Sequence, residues 1–136
     1  MSALRPRSGL LAAHAGARGA TAIEYAIILP VLLLLLLGIT DIGRLMWVQG
    51  TLEYATAAAA RCAAVDSVVC GDAAAIQSYA AERAYGLNLS ATAFQVATAA
   101  CGRRVSASSS FRFITPWITP TGLTLNADAC YPAAPA

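Results

Sequence analysis

The sequence predicts an α+β protein in which a long N-terminal helix, membrane-spanning in its first half, packs on a short second helix and a small antiparallel sheet of about three strands. Three observations lead there. Residues 20–39 form an apolar run with one charged residue, Glu24, of about the length that crosses a bilayer. Beyond it a helical repeat continues to about Ala64, with spacings of three and four. The last third of the chain changes to period-two alternation, the pattern of strands covered on one face. Composition agrees: 58% of the 136 residues are hydrophobic, 12% are charged and mean hydropathy is +0.62, whereas soluble domains carry roughly a quarter charged residues.

Residues 1–19, MSALRPRSGLLAAHAGARG, are rich in Arg, Ala and Gly, contain no acid and lack a sustained apolar period. They read as a leader. The apolar core is followed by TDIGRLMWVQ, which lacks the A-x-A pattern of signal-peptide cleavage. In the second half of the helix Ile42, Leu45, Met46, Gln49, Leu52, Glu53, Thr56, Ala59, Ala60 and Ala63 recur at helical spacing. Asp41 and Arg44, one turn apart, read as an interfacial salt bridge, with Trp47 as a belt aromatic. From residue 20 to 64 the helix would reach roughly 68 Å, so only its first half fits in a membrane.

VDSVVCGD breaks the helix, with Gly71 as punctuation and Asp72 as N-cap of a second helix, AAAIQSYAAERAYG, that stops near Gly86. TAFQVATAAC, RRVSASSSFRFIT and GLTLNADACY then read as three strands, separated by Gly102 and by the loop TPWITPTG. Phe111 and Phe113 fall on one strand face with Val105 and Ala107. The tail YPAAPA reads as loose. Three segments result: 1–19 leader, 20–64 long helix, 65–136 exported α+β domain.

All nine basic residues are Arg, and Arg5, Arg7 and Arg18 precede the apolar run together with the single His14. By the positive-inside rule that flank stays cytoplasmic and the body lies across the membrane. From Ala20 onward six Arg face seven acids, which offers no basic surface for nucleic acid. Cys62, Cys70, Cys101 and Cys130 all fall on the side read as oxidising, where disulfides are expected. No CxxC pair and no His follow the apolar run, so a metal site is not expected. Four cysteines allow three pairings. Cys62–Cys70, closing the loop at the helix end, and Cys101–Cys130, joining neighbouring strands, are favoured.

Catalytic sets are absent: no G-x-S-x-G, no phosphate-cradling glycine loop and no HExxH. Ser108, Ser109 and Ser110 have no downstream His to act as base and suit a polar strand. Arg103 and Arg104 read as charges that protect an edge strand. Asn88-Leu89-Ser90 matches a glycosylation acceptor, a triplet short enough to recur by chance.

Glu24 is left to explain, because a membrane anchor alone would place Leu or Ala there; a charge at the centre of a membrane helix costs about 2.5–3.5 kcal/mol. Gly19, Glu24 and Tyr25 fall together in GATAIEY, ahead of the apolar run. This string resembles the processing site of type IV prepilins, and in particular the TadE-like pseudopilins of the tight-adherence (Flp) pilus. The likeness extends from Arg18 to Ala64: a Gly-small-small-x-x-Glu-aromatic start, Pro30 inside the apolar run, a Gly38-x-x-Asp41-x-x-Arg44 exit and an Ala-rich end bearing Arg61.

The resemblance implies a pilin-like fold and a structural role without catalysis or cofactor: a minor pilin-like subunit acting in pilus assembly. It implies cleavage between Gly19 and Ala20 by a membrane aspartyl prepilin peptidase, which leaves a new ammonium on Ala20. It makes Glu24 and Tyr25 assembly and register residues, with Glu24 facing the Ala20 ammonium of an adjacent subunit. Pro30, which lacks an amide donor and crowds the Ala26 carbonyl, would kink the helix. The implied partners are the prepilin peptidase, the major Flp pilin, sibling pseudopilins, the inner-membrane assembly platform with its ATPase, and membrane lipid. The implied location is the inner membrane, single pass, with the N-terminus cytoplasmic, the body periplasmic and incorporation into a pilus available. The alternative from the residues alone is a signal-anchored envelope protein whose exported domain binds a ligand or partner.

Overall fold

The computed structural model describes residues 12–115 and 121–132, with side chains from residue 22 onward. Arg5 and Arg7 of the leader, the centre of the TPWITPTG loop and the end of the tail lie outside the described residues. The chain divides into two units, the first ending at Ile39 and the second beginning at Thr40. Helix α1 spans Ala12–Val65, so it starts earlier than the expected Ala20. The stretch AAHAGARGA explains the difference, since its alanines are the strongest helix formers and outweigh its two glycines.

In the first unit the apolar side chains are exposed on every face, from Ile23 and Tyr25 through Ile28, Leu32 and Leu36 to Ile39. Among the described residues α1 alone is long and apolar enough to cross a membrane. It continues unbroken through Pro30.

In the second unit α1 becomes one wall of a core. Its inward row is Asp41, Leu45, Val48, Leu52, Ala55 and Ala59, at alternating spacings of four and three, whereas Ile42, Met46 and Glu53 are exposed. The buried stripe is thus turned from the one read in the sequence. The apolar residues at 42 and 46 drew that reading, and they cover nothing here. Small residues at 55, 59 and 60 share one buried cluster with Phe94, Val105, Phe111, Leu125 and Ala127 of the sheet. Ile76 and Ala80 close the core from the second helix. Each of Leu52, Ile76, Phe94 and Val105, all essentially without exposed surface, contributes on the order of 1.5–3 kcal/mol.

The turn after α1 is held by Asp66, whose Oδ1 accepts the amides of Val68 and Val69, each at 3.0 Å. Gly71 is needed there because a Cβ would stand 2.6 Å from the Ser67 carbonyl oxygen. Asp72 then caps α2, Ala73–Arg83, by accepting the Ala75 amide at 2.7 Å. A single 3₁₀ turn, Ala91–Ala93, precedes the sheet and occupies the start of what reads in sequence as the first strand.

Strands β1 (Phe94–Ala99), β2 (Gly102–Phe111) and β3 (Leu123–Tyr131) form an antiparallel sheet in that order. The register aligns Phe94 with Ala107 and Ala107 with Ala127, and Val105 with Val96 and Ala129. Arg103 and Arg104 therefore begin the central strand, which corrects their assignment to an edge. They lie near the hairpin end, where Arg104 pairs with Asp128 at 2.9 Å, both about half exposed; such a pair contributes about 0–1 kcal/mol. Phe113 lies beyond β2 and meets Phe111 edge to face at 5.1 Å. Gly122, at φ +77°, admits the chain into β3 where a Cβ would lie 2.8 Å from the Phe111 carbonyl oxygen.

Disulfides join Cys62 to Cys70, buried at the end of α1, and Cys101 to Cys130, tying the β1–β2 turn to β3. Their separations of 8 and 29 residues correspond to chain-entropy contributions of about 2.5 and about 3.5 kcal/mol. Replacing Cys101 and Cys130 by Ala is expected to lower the unfolding free energy by about 1 kcal/mol more than replacing Cys62 and Cys70. Urea unfolding of both double variants measures the difference, and an equal or reversed order would refute the loop-length account.

Candidate processing and assembly site

Gly19 and Ala20 lie within the helical backbone of α1. A protease that needs an extended substrate must unwind this turn. Gly16 and Gly19 each weaken the helix by about 1 kcal/mol relative to Ala, which makes the turn cheap to open. Glu24 is four residues on, about 6 Å along the axis. It is exposed beside exposed Ile23, Tyr25 and Ile27, and no partner pairs with it among the described residues. Tyr25, 72% exposed, is equally uncommitted. Pro30 cannot donate to Ala26, so that carbonyl lacks its usual helical partner.

Where the second unit begins, the structure builds a polar cluster. Asp41 has no exposed surface. Its Oδ1 accepts the Ile114 amide at 3.0 Å and Nη1 of Arg44 at 3.3 Å, and its Oδ2 accepts the Thr115 hydroxyl at 2.8 Å and amide at 3.2 Å. One carboxylate thereby ties α1 to the segment that leaves the end of β2. The Ile114 amide holds the Asp41 carboxyl below the usual carboxylate value; burial opposes this, and the Thr115 hydroxyl, the Thr115 amide and the Arg44 charge add to the lowering. Arg44 also lies 5.3 Å from the Phe111 ring centroid.

Sequence reading found the Asp41–Arg44 pair and missed its principal partners. The available signal was position: Asp41 stands at four-three spacing from Leu45, Val48 and Leu52, which allows a buried carboxylate with donors around it but does not select that row over the one through Ile42 and Met46. Among the residues picked out from sequence, the structure brings together Cys62 with Cys70 and Cys101 with Cys130, and leaves Gly19, Glu24, Tyr25 and Pro30 along one helix without mutual contacts. Among the described residues no thiol is free and no three His, Cys, Asp or Glu side chains gather. Both Asp41 oxygens are filled by donors.

The described residues thus hold a long, exposed apolar helix and a small disulfide-linked α+β unit. Residues 19–61 match the model of the TadE-like protein family, a structural family associated with the Tad pilus rather than an enzymatic one. The match runs from Gly19 to Arg61, taking in Glu24, Pro30 and Asp41, and the sheet lies outside it. The apolar helix accordingly fits a single-pass membrane protein of a pilus system. No curated protein and no solved structure matches the chain.

Proposed function

We propose that the chain is a minor pilin-like subunit of a tight-adherence pilus. Prepilin peptidase cuts it between Gly19 and Ala20 on the cytoplasmic side. The mature helix then spans the inner membrane with its first half, and residues 65–136 lie outside as a disulfide-linked domain. The observation that carries this reading is the set Gly19, Glu24 and Tyr25 at the head of an exposed apolar helix, within the stretch that matches the TadE-like family. A plain anchor has no use for that carboxylate, whereas a subunit in a helical bundle has one: the ammonium created on Ala20 of its neighbour. The subunit meets the peptidase first, then sibling pseudopilins, the major Flp pilin and the membrane assembly platform with its ATPase.

Gly suits the residue before the cut because the absence of a Cβ lets the backbone lie extended in a narrow cleft. Gly19→Val adds a β-branched side chain that restricts that backbone. The variant is expected to accumulate as a membrane-inserted precursor that retains residues 1–19, seen as a slower band and a higher intact mass. Normal maturation of Gly19→Val would refute the assigned cut.

A further inference from the structure

In the second unit, the stretch of α1 from Met46 to Val65 and helix α2 enclose a groove. It consists of two adjoining open depressions of about 530 and 340 Å³ that share Tyr54 and Arg83. One end is apolar and aromatic: Met46, Trp47 and Tyr85 are 70, 66 and 64% exposed, and Tyr54 is 53% exposed where the depressions join. The floor is low. Gly50 leaves open space where a side chain would stand, and Ala57 and Ala58 follow it along the helix.

The other end is cationic. Arg61 is exposed and has no ion-pair partner among the described residues. Arg83 lies 4.7 Å from the Tyr79 ring centroid, hydrogen-bonds the Tyr54 side chain and forms no ion pair among the described residues. Asp66 is the one acid lining this end, and its Oδ1 is occupied by the amides of Val68 and Val69. Trp, Tyr, Met and Arg are the residues that concentrate in interface cores and carry most of their binding energy. Four such side chains around a shallow helical floor, with two guanidinium groups at one end, form a surface suited to a helix.

We propose that this groove docks a helix of a different membrane-tethered chain, one that lays small or apolar residues against Met46, Trp47 and Tyr54 and presents carboxylates to Arg61 and Arg83. The inference rests on the pilus reading, which places such chains beside this one. In a symmetric pair of copies joined groove to groove, the guanidinium ends of the two grooves would come together, and like charges in apposition disfavour that pairing.

The test is site-specific photocrosslinking of the full-length protein in native-host membranes, with benzoylphenylalanine at Ala57, exposed in the groove, and at Ser108, exposed on the sheet, as control. The expected result is an adduct at position 57 only, whose crosslinked peptide is a carboxylate-bearing segment of another chain. Its yield should fall about tenfold or more in Arg61→Glu. Arg61 is exposed and forms no hydrogen bond or ion pair among the described residues, and retention of both disulfides by non-reducing peptide mapping checks that the variant is folded. No adduct, an adduct to lipid or to a second copy, or a yield indifferent to Arg61→Glu would overturn the proposal. Intact mass from the same membranes separates the two levels: with residues 1–19 lost, a failed crosslink removes only the groove, whereas a retained leader removes the pilus reading and the groove with it.

Discussion

Asp41→Ala is expected to release the segment after β2 and to make tryptic cleavage after Arg112 at least about tenfold faster, because the open form becomes correspondingly more populated. The substitution leaves three protein donors, the amides of Ile114 and Thr115 and the Thr115 hydroxyl, without the acceptor they share. Buried donors without partners are the costly case. Arg44→Ala is expected to do much less. Its side chain is 47% exposed at 3.3 Å from the carboxylate, and its removal leaves that carboxylate with the Ile114 and Thr115 donors, so no buried donor loses its acceptor. Asp41→Asn should fall between, since its single carbonyl oxygen can serve one pair of donors while its amide opposes the other. Acid should mimic the substitution. The folded carboxyl is held below its ordinary value, so its stabilising effect is complete above the unfolded value of about 3.9 and is lost as pH falls through the lowered folded value. Protection of Arg112 that is unchanged in Asp41→Ala would show that the cluster does not hold the loop.

The second large effect concerns Glu24. In the isolated subunit its carboxylate, near the end of the apolar run, can reach toward the headgroups at modest cost. When helices bundle and exclude water, it becomes a buried charge that needs a partner. On the proposed reading a neighbour at the correct stagger would supply the Ala20 ammonium and satisfy both groups, whereas a misaligned one would satisfy neither, so that the pair would set register more than add affinity. Glu24→Ala is expected to insert and to be cleaved to a large extent, yet to lose association with pilus components by on the order of a hundredfold. Glu24→Asp should be intermediate, because its arm is shorter. Cleavage, membrane retention and co-purification are scored separately in the native host. Undiminished assembly of Glu24→Ala would reduce Glu24 to an incidental interfacial charge.

Much of this architecture is legible in the chain because each element has a local cause. The apolar run ending at Ile39, Asp72 ahead of AAAIQSYAAER, and the alternation of Val105, Ala107 and Phe111 all point to elements that the structure contains. What is not legible depends on contacts distant in sequence. The rotation of the buried row toward Asp41, Val48 and Ala55 depends on where the sheet lies, which residues 41–63 do not encode. Ile42 and Met46 look like core and are exposed, while Asp41 looks like surface and is buried. Its partners Ile114 and Thr115 are more than seventy residues away. Arg103 and Arg104 read as edge-strand charges because strand order cannot be deduced from alternation alone. Of the proposed processing site, the residue types and spacing are visible in sequence, and the helical state of Gly19 and Ala20 is not.

The central claim is that this chain is a processed pilus subunit, and the intact mass of the protein extracted from native membranes tests it most directly. The account predicts a mature chain that begins at Ala20, has lost residues 1–19, and carries the mass deficit of two disulfides. A membrane-extracted chain that still carries residues 1–19 in a host with an active prepilin peptidase would contradict it.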